Sequence, residues 1–381
     1  MADAKVTTLT ELTAVTSDDL FYAVNDPAGT PASRKVTAAT LKNFIAQSHN
    51  PGGRLTLESG VPISTSDQTA KTSIYYTPYV HNTINLWDGT SWIPVTFTEM
   101  TQALGTITSG LEYNVYGYLS SGAFATEIAA WGSATVTFTN GTDVVNWTST
   151  PAVDGDMFSF SGGTAPTGLA NFTTYYVRDK AANSFKLAST PGGAAINFTT
   201  DGSGTITGKL QNVTYQDGRL CKNGDKTRLL LGTFYTTSTT TTAFAEATRY
   251  LANVYNRVPI TVRQVDTTSH TINNVSQPWR NGSALQAGFV VPIPVKCNVM
   301  VAARIDASTT SSTPFIYPDL NGSVIDSNDF VVSQNVDATS LLARSHAYCT
   351  IGRNYAEVWE AEFASVNATV DQGKVYAEVM L

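Results

Sequence analysis

Carboxylates, histidines, thiols and aromatic rings are the side chains here that could do chemistry, and their spacing decides how far that goes. Close carboxylates occur at Asp18/Asp19, Asp154/Asp156, Asp326/Asp329 and Glu357/Glu360/Glu362. Glycoside hydrolysis needs two carboxyl groups about 5–10 Å apart across the scissile bond. Glu360 and Glu362, on one face of a strand, would supply such a pair; the competing reading is a solvated strand face. His49, His81, His270 and His346 never stand at metal-ligand spacing. There is no phosphate loop and no nucleophile elbow. Cys221, Cys297 and Cys349 are odd in number and far apart, and read as buried thiols, not as a disulfide framework. No catalytic residue, metal or cofactor is therefore expected. The aromatic residues are better candidates for contact, because a ring face suits the apolar side of a sugar. Trp87, Trp92, Trp279, Tyr348, Tyr355 and Trp359 are of this kind, although most such rings in a β-rich chain are core. Tyr348 and Tyr355 flank a turn at Gly352-Arg353-Asn354 and, with Trp359, are the contact candidates.

The elements that must position them are mostly strands. Of 381 residues, 42% are hydrophobic, which excludes a disordered chain, and only 14% are charged, against about 25% in an ordinary domain. Surface polarity falls to Thr, Ser and Asn, and the branched Cβ of Thr favours a pleated surface. The length suggests two to four domains. Net charge is −7 without any Lys/Arg run, so nucleic acid is not an expected partner. No 18-residue apolar stretch and no signal-peptide core occur, so neither membrane insertion nor classical export is expected.

The expected fold is mainly β: several sandwich or jelly-roll-like modules in series, a small ββα unit in front and one central amphipathic helix. Residues 1–48 form the ββα unit, with strands at 20–24 and 33–36 and a helix from Ala38 to about Gln47. Residues 54–132 and 209–235 form a body domain, with a hairpin signal at Asp88-Gly89. Residues 133–208 read as an inserted β module, because the sequences at Trp131 and Leu210 are strand-like and lack turns of their own. A polar spacer, 236–242, precedes the helix at 243–258. Phe244, Ala247, Leu251, Val254 and Val258 follow at intervals of 3, 4, 3 and 4, one helical stripe. That stripe either packs on a sheet of its own subunit or forms a three-stranded core at a trimer axis. Residues 260–381 alternate with period two through seven or eight strands, favouring a jelly-roll-like sandwich.

Three stretches carry a resemblance. Residues 6–12, Ser17-Asp18-Asp19-Leu20-Phe21-Tyr22-Ala23-Val24-Asn25-Asp26, Gly29-Thr30-Pro31 and residues 34–41 resemble the N-terminal segment of tailed-bacteriophage virion proteins of the tail-fibre and head-fibre type. That resemblance implies anchoring to the particle through Leu9, Leu12, Leu20, Phe21, Tyr22, Val24, Val36, Leu41 and Phe44. Residues 74–79 and 84–92 resemble the body of phage fibre-like proteins. Pro166-Thr167-Gly168-Leu169, Thr174-Tyr175-Tyr176-Val177, Asn183-Ser184-Phe185-Lys186-Leu187 and residues 190–196 resemble a small β module of phage fibres and tails. The last hundred residues are similar in length and patterning to trimeric jelly-roll fibre heads. The resemblance implies a non-enzymatic, homotrimeric virion protein, assembled in the bacterial cytoplasm. Its partners would be portal, tail, capsid or adaptor subunits and a host-surface glycan or protein receptor, met by Tyr348, Tyr355 and Trp359. A capsid-decorating or vertex-fibre protein is the alternative, and a short polysaccharide depolymerase the third reading.

Overall fold

The computed structural model of the chain describes residues 20–25, 32–38, 50–272, 276–281, 285–307, 314–325, 331–332, 339–362 and 368–381. It is mainly β, in several sheets.

Strict alternation builds the C-terminal part. In Val295–Ala307, the side chains of Val295, Cys297, Val299, Val301, Ala303 and Ile305 are buried, while Lys296 and Arg304 between them are exposed. Period-two patterning of this kind buries one face of a strand and wets the other. One sheet runs Pro259–Asp266, Ala368–Met380, Val295–Ala307, Thr339–Cys349. The other runs Gln286–Val291, Gly352–Glu362, Pro314–Leu320, with Ser323–Val324 and Val331–Val332 beside the last. Successive long strands alternate between the two sheets, which is jelly-roll connectivity.

This sandwich is continuous with the body. Gln286–Val291 pairs in parallel with Thr248–Arg249, which continues through Thr242–Ala245 to Gln68–Lys71. A second body sheet joins Ala123–Ala130, Glu112–Ser120, Asp225–Tyr235, Arg219–Lys222 and Val213–Gln216. The hairpin Thr83–Trp87/Trp92–Thr96 turns at Asp88, whose Oδ1 accepts the N–H groups of Thr90 and Ser91 at 2.7 Å each.

Between these body strands, Gly132–Thr139, Val144–Asn146, Ser184–Ala188, Tyr175–Arg178, Met157–Ser161 and Ile206–Leu210 close into a barrel. The chain enters at Gly132 and leaves at Leu210, which are register partners. Gly208 lets two strands meet over an aromatic core, since a Cβ there would lie 2.8 Å from both Phe158 and Val136. Residues 196–199 form no strand: Ala195 makes an isolated bridge to Ala188 and Phe198 plugs the core at 1% exposure.

The central helix expected at 243–258 is not there. Thr242–Ala245 is a strand, buried at every position, and turns at Glu246-Ala247 into Thr248–Arg249; Leu251–Asn253 then pairs with Asp225–Tyr235. The 3-4 spacing is real but answers to burial on both faces. A one-stripe helix would expose Ala245 and Asn253, both of them buried. Asn253 accepts the Leu55 N–H (2.7 Å) and donates to the Leu55 carbonyl (3.1 Å), so its amide completes a sheet edge. Tertiary pairing outweighs weak helix propensity among Thr, Tyr and Val. The expected polar spacer is likewise a hairpin tip: Thr236 bridges Thr242, and both are buried.

At the front, Leu20–Asn25 pairs antiparallel with Ala32–Thr37. Ala38 is helical, and the remainder of the expected helix lies outside the described residues.

Candidate functional site

The carboxylates of strand Gly352–Glu362 part company by parity. Glu360 points inward, fully buried, and meets His270 Nε2 at 2.7 Å, the Arg280 N–H at 3.1 Å and Gln277 Nε2 at 3.4 Å. The His270 ring packs edge-on against Trp279, whose Nε1 donates to Asp266 (2.9 Å), which also takes Arg280 (3.1 Å). Against its desolvation, the Thr268 N–H (2.9 Å), Trp279 and Arg280 together hold the Asp266 carboxyl at about 2. Arg280 sits at φ 55°, ψ 34°, a left-handed turn that lets its N–H reach Glu360. Held by His270, Gln277 and the Arg280 N–H, Glu360 stands in a bracing cluster; the Glu362 side chain is outside the described residues.

Glu357 lies on the opposite face of the strand, in register with Asp319. Both are buried, at 2% and 0%. Desolvation, followed by the Glu357 charge, pushes Asp319 up to about 7 although the Gly322 N–H donates to its Oδ1 at 2.7 Å. Gln286 donates to Glu357 at 3.2 Å. A carboxylic acid poised near neutrality beside a carboxylate has the make-up of a general acid/base pair, but the enclosure leaves no room for a sugar between them. Asp156 is a second buried acid, raised to about 7 by desolvation and hydrogen-bonded to Asn223 (2.7 Å) and the Val213 N–H (3.0 Å). Asp154 caps the Lys180 N–H at 3.0 Å. Asp18, Asp19, Asp326 and Asp329 lie outside the described residues. Among the described residues no group of three His, Cys, Asp or Glu side chains could hold a metal, and no helix is long and apolar enough to cross a membrane.

Tyr355 and Trp359 share the outer face of this sheet, with Trp359 in register with Tyr317 and their ring centroids 6.1 Å apart. Tyr348 is on the other sheet, at its edge, 70% exposed, with Lys296 Nζ 5.1 Å from its ring centroid. The three contact candidates therefore do not form one surface. Trp92 is buried under Arg219 and donates to Asp217 at 3.1 Å, Trp87 lies beneath Lys226, and Trp279 is fully buried.

The densest polar constellation is one that spacing could not suggest. Glu112, fully buried at the start of its body strand, takes Lys209 of the barrel at 2.6 Å and the Arg353 N–H of the jelly roll at 3.0 Å. Tyr235, Tyr250 and Tyr355 surround the Arg353 guanidinium within 6.0 Å. Nearby, Gln211 donates to the Pro292 carbonyl (2.7 Å), Thr174 Oγ1 accepts the Ile351 N–H (3.1 Å), and Trp131 donates to Asn114 (2.8 Å). Body, barrel and sandwich thus meet at one buried knot. Cys297 and Cys349, separated in sequence, also meet: their thiols hydrogen-bond, which lowers the first and raises the second. Cys221 is buried and pushed up to about 12 by desolvation.

Of the anchor residues, Leu20, Phe21, Tyr22, Val24 and Val36 lie on the front hairpin, where Phe21 pairs with Val36; Leu9, Leu12, Leu41 and Phe44 lie outside the described residues. Phe244 and Leu251 are buried in the main core; Ala247, Val254 and Val258 are half-buried, in the turn and in the loop after Asn253.

Fold and site together define a multi-sheet β protein whose jelly-roll sandwich is locked to a barrel-bearing body. No family model matches the chain. No curated protein matches it either. Among solved structures it is similar to infectious bursal virus-derived T=1 particles, with 12% identity over 72% of this chain and 67% of that one, TM-score 0.24. It is also similar to the VP2 subviral particle of infectious bursal disease virus, at 11% identity over 84% and 74%, TM-score 0.21. Dimeric latent PorU from Porphyromonas gingivalis gives 9% identity over 72% of this chain, TM-score 0.21, and the chain spans 25% of PorU's length.

Proposed function

We propose that the chain is a non-enzymatic structural protein of a bacteriophage particle, a homotrimeric fibre-like component. Its first 48 residues fix it to portal, tail, capsid or adaptor subunits, and its jelly roll meets the host surface or a further fibre.

The observation that carries this reading is the two-ended build of the sandwich. At one end, the short turns after Val291 and Cys349 and the final residue Leu381 are tied to the body and barrel: Gln211 takes the Pro292 carbonyl, Thr174 the Ile351 N–H, and Arg54 donates to the Leu381 carbonyl at 3.0 Å. At the other end the strand termini Ala307/Ala368, Ile305/Thr339 and Pro314/Glu362 gather by register, away from that knot. A rigid attachment on one side with strand ends presented on the other suits a projecting element. The N-terminal resemblance supports the anchor, and the enclosure of Asp319 and Glu357 supports a protein without a reaction centre.

Particles assembled with the chain lacking residues 1–48 should not contain it, and light scattering on the purified full chain should give three times the protomer mass. Incorporation of the truncated chain, or a monomer, overturns the corresponding part. Release of oligosaccharide from host polysaccharide by the purified protein would replace this reading with the depolymerase.

A further inference from the structure

The outer face of the sheet Pro259–Asp266/Ala368–Met380/Val295–Ala307/Thr339–Cys349 takes no part in the knot or the core and meets the body at its Pro259–Asp266 edge, where Arg263 pairs with Glu246; its composition is unlike the rest of the chain. Alternation directs Arg263, Lys296, Arg304, Arg344 and Lys374 outward, against the single described outward carboxylate of Glu378. The chain as a whole carries −7. The same face bears Leu342, Tyr348 and Met380 at 62%, 70% and 41% exposure, three of the seven exposed large hydrophobic side chains among the described residues. A shallow groove of about 380 Å³ crosses it, lined among others by Thr261, Lys296, Asn298, His346, Glu378 and Met380.

We infer that this face docks an acidic polysaccharide, a sugar polymer with one negative charge per unit or sparser, across Lys296, Arg344 and Lys374 and the exposed Tyr348 ring. Charge selects the occupant. A second copy seated face to face would set Lys296, Arg344 and Lys374 against the same three cations, and like charges in juxtaposition oppose association. Duplex nucleic acid places one charge every ~1.7 Å and calls for denser cations than these. By register Arg344 stands ~14 Å from Lys296 and ~12 Å from Lys374 across the sheet, a spacing that suits a sparse polyanion, and the Tyr348 ring beside Lys296 suits a sugar's apolar side. Arg263 is already tied to Glu246 at 2.7 Å, so Lys296, Arg344 and Lys374 carry most of the recognition.

The inference names the ligand class for the surface contact proposed above and rests on that reading only for its setting. The test uses the purified full chain in affinity electrophoresis through polygalacturonate, neutral dextran or a DNA duplex. Polygalacturonate should retard the protein and dextran should not, with retardation falling between about 50 and about 300 mM salt. Arg344→Glu/Lys374→Glu should lower the affinity by about tenfold or more, and Tyr348→Ala should weaken it further. Lys180→Glu, an exposed reversal on the barrel, should leave it unchanged. Should the double reversal not fold, Arg344→Gln and Lys374→Gln singly should each remove part of the retardation. Absence of retardation, tighter binding of DNA, an equal loss with Lys180→Glu, or a dimer abolished by the double reversal overturns the inference. Binding by a protein that never enters particles would instead sink the virion reading and leave this one standing.

Discussion

Asp319 makes the sharpest statement at the scale of a residue. Its carboxyl is raised from 3.8 to about 7, so between those values the folded protein holds a proton that the unfolded chain has released. Its contribution to stability is therefore most favourable below about pH 4, declines as pH rises toward 7, and stays at its least favourable above. Asp156 follows the same course, while Asp266, held near 2, loses its stabilising effect only as pH falls from about 4 to about 2. Melting temperature should thus be higher at pH 5.5 than at pH 8. Asp319→Asn should raise the pH 8 value by a few degrees and leave the value at pH 4 unchanged, since its amide oxygen still accepts the Gly322 N–H. A uniform rise across pH would show that the carboxyl is not the source. Glu112 is a buried carboxylate whose charge is met by Lys209. Glu112→Ala should cost about 2–4 kcal/mol in denaturant unfolding, less than a fully buried pair because Lys209 is partly exposed. Gly352→Ala should cost about 1–3 kcal/mol, since φ is +84° and a Cβ would lie 3.0 Å from Glu112 Oε1. A silent Gly352→Ala would mean the turn is not pressed against Glu112.

At the scale of elements, most of the chain was legible because period two survives in it. The strand at Pro259–Asp266 and those at Gly352–Glu362 and Ala368–Met380 were visible as alternation, and Trp87/Trp92 as a hairpin through Asp88-Gly89. The helix at 243–258 failed for a physical reason. Phe244 and Leu251 belong to short strands buried on both faces, and two-sided burial erases alternation, leaving whatever spacing the turns impose. Far-ultraviolet circular dichroism of the excised peptide 240–260 is expected to show no helix. Inserting Pro at Tyr250, whose N–H donates to the Ala243 carbonyl at 3.0 Å beside the paired strands, should destabilise the whole protein by about 3 kcal/mol or more. Helix in the peptide, with tolerance of that proline, would reopen the question. The site was less legible than the fold. Glu112 finds its partners 97 and 241 residues away, and no local spacing encodes such a meeting. Cys297 and Cys349 read as unrelated thiols until strand pairing placed Cys349 opposite Val295, one step along from Cys297.

For the whole molecule, the barrel poses the decisive question of whether it is a passenger or a support. Its entry and exit are register partners, Gly132 and Leu210, so excising 133–209 and bridging with two or three glycines asks little of the backbone. Closure geometry alone therefore forecasts a folded remainder. The knot argues that the remainder is weakened in a specific way. Excision removes Lys209 from Glu112, Asp156 from the Val213 N–H, and Thr174 from the Ile351 N–H, and it uncovers Met157's neighbours Trp131 and Ile351. The largest single loss is Glu112, a buried carboxylate then left without its cation. The excised protein should keep its β circular dichroism and its oligomeric mass but melt lower than the full chain. Adding Glu112→Gln should recover part of the difference in the excised protein while lowering the melting temperature of the full chain. That reversal of sign separates a knot that joins three modules from a barrel merely appended to a finished body: equal effects of Glu112→Gln in both backgrounds, or aggregation that Glu112→Gln does not relieve, would refute it.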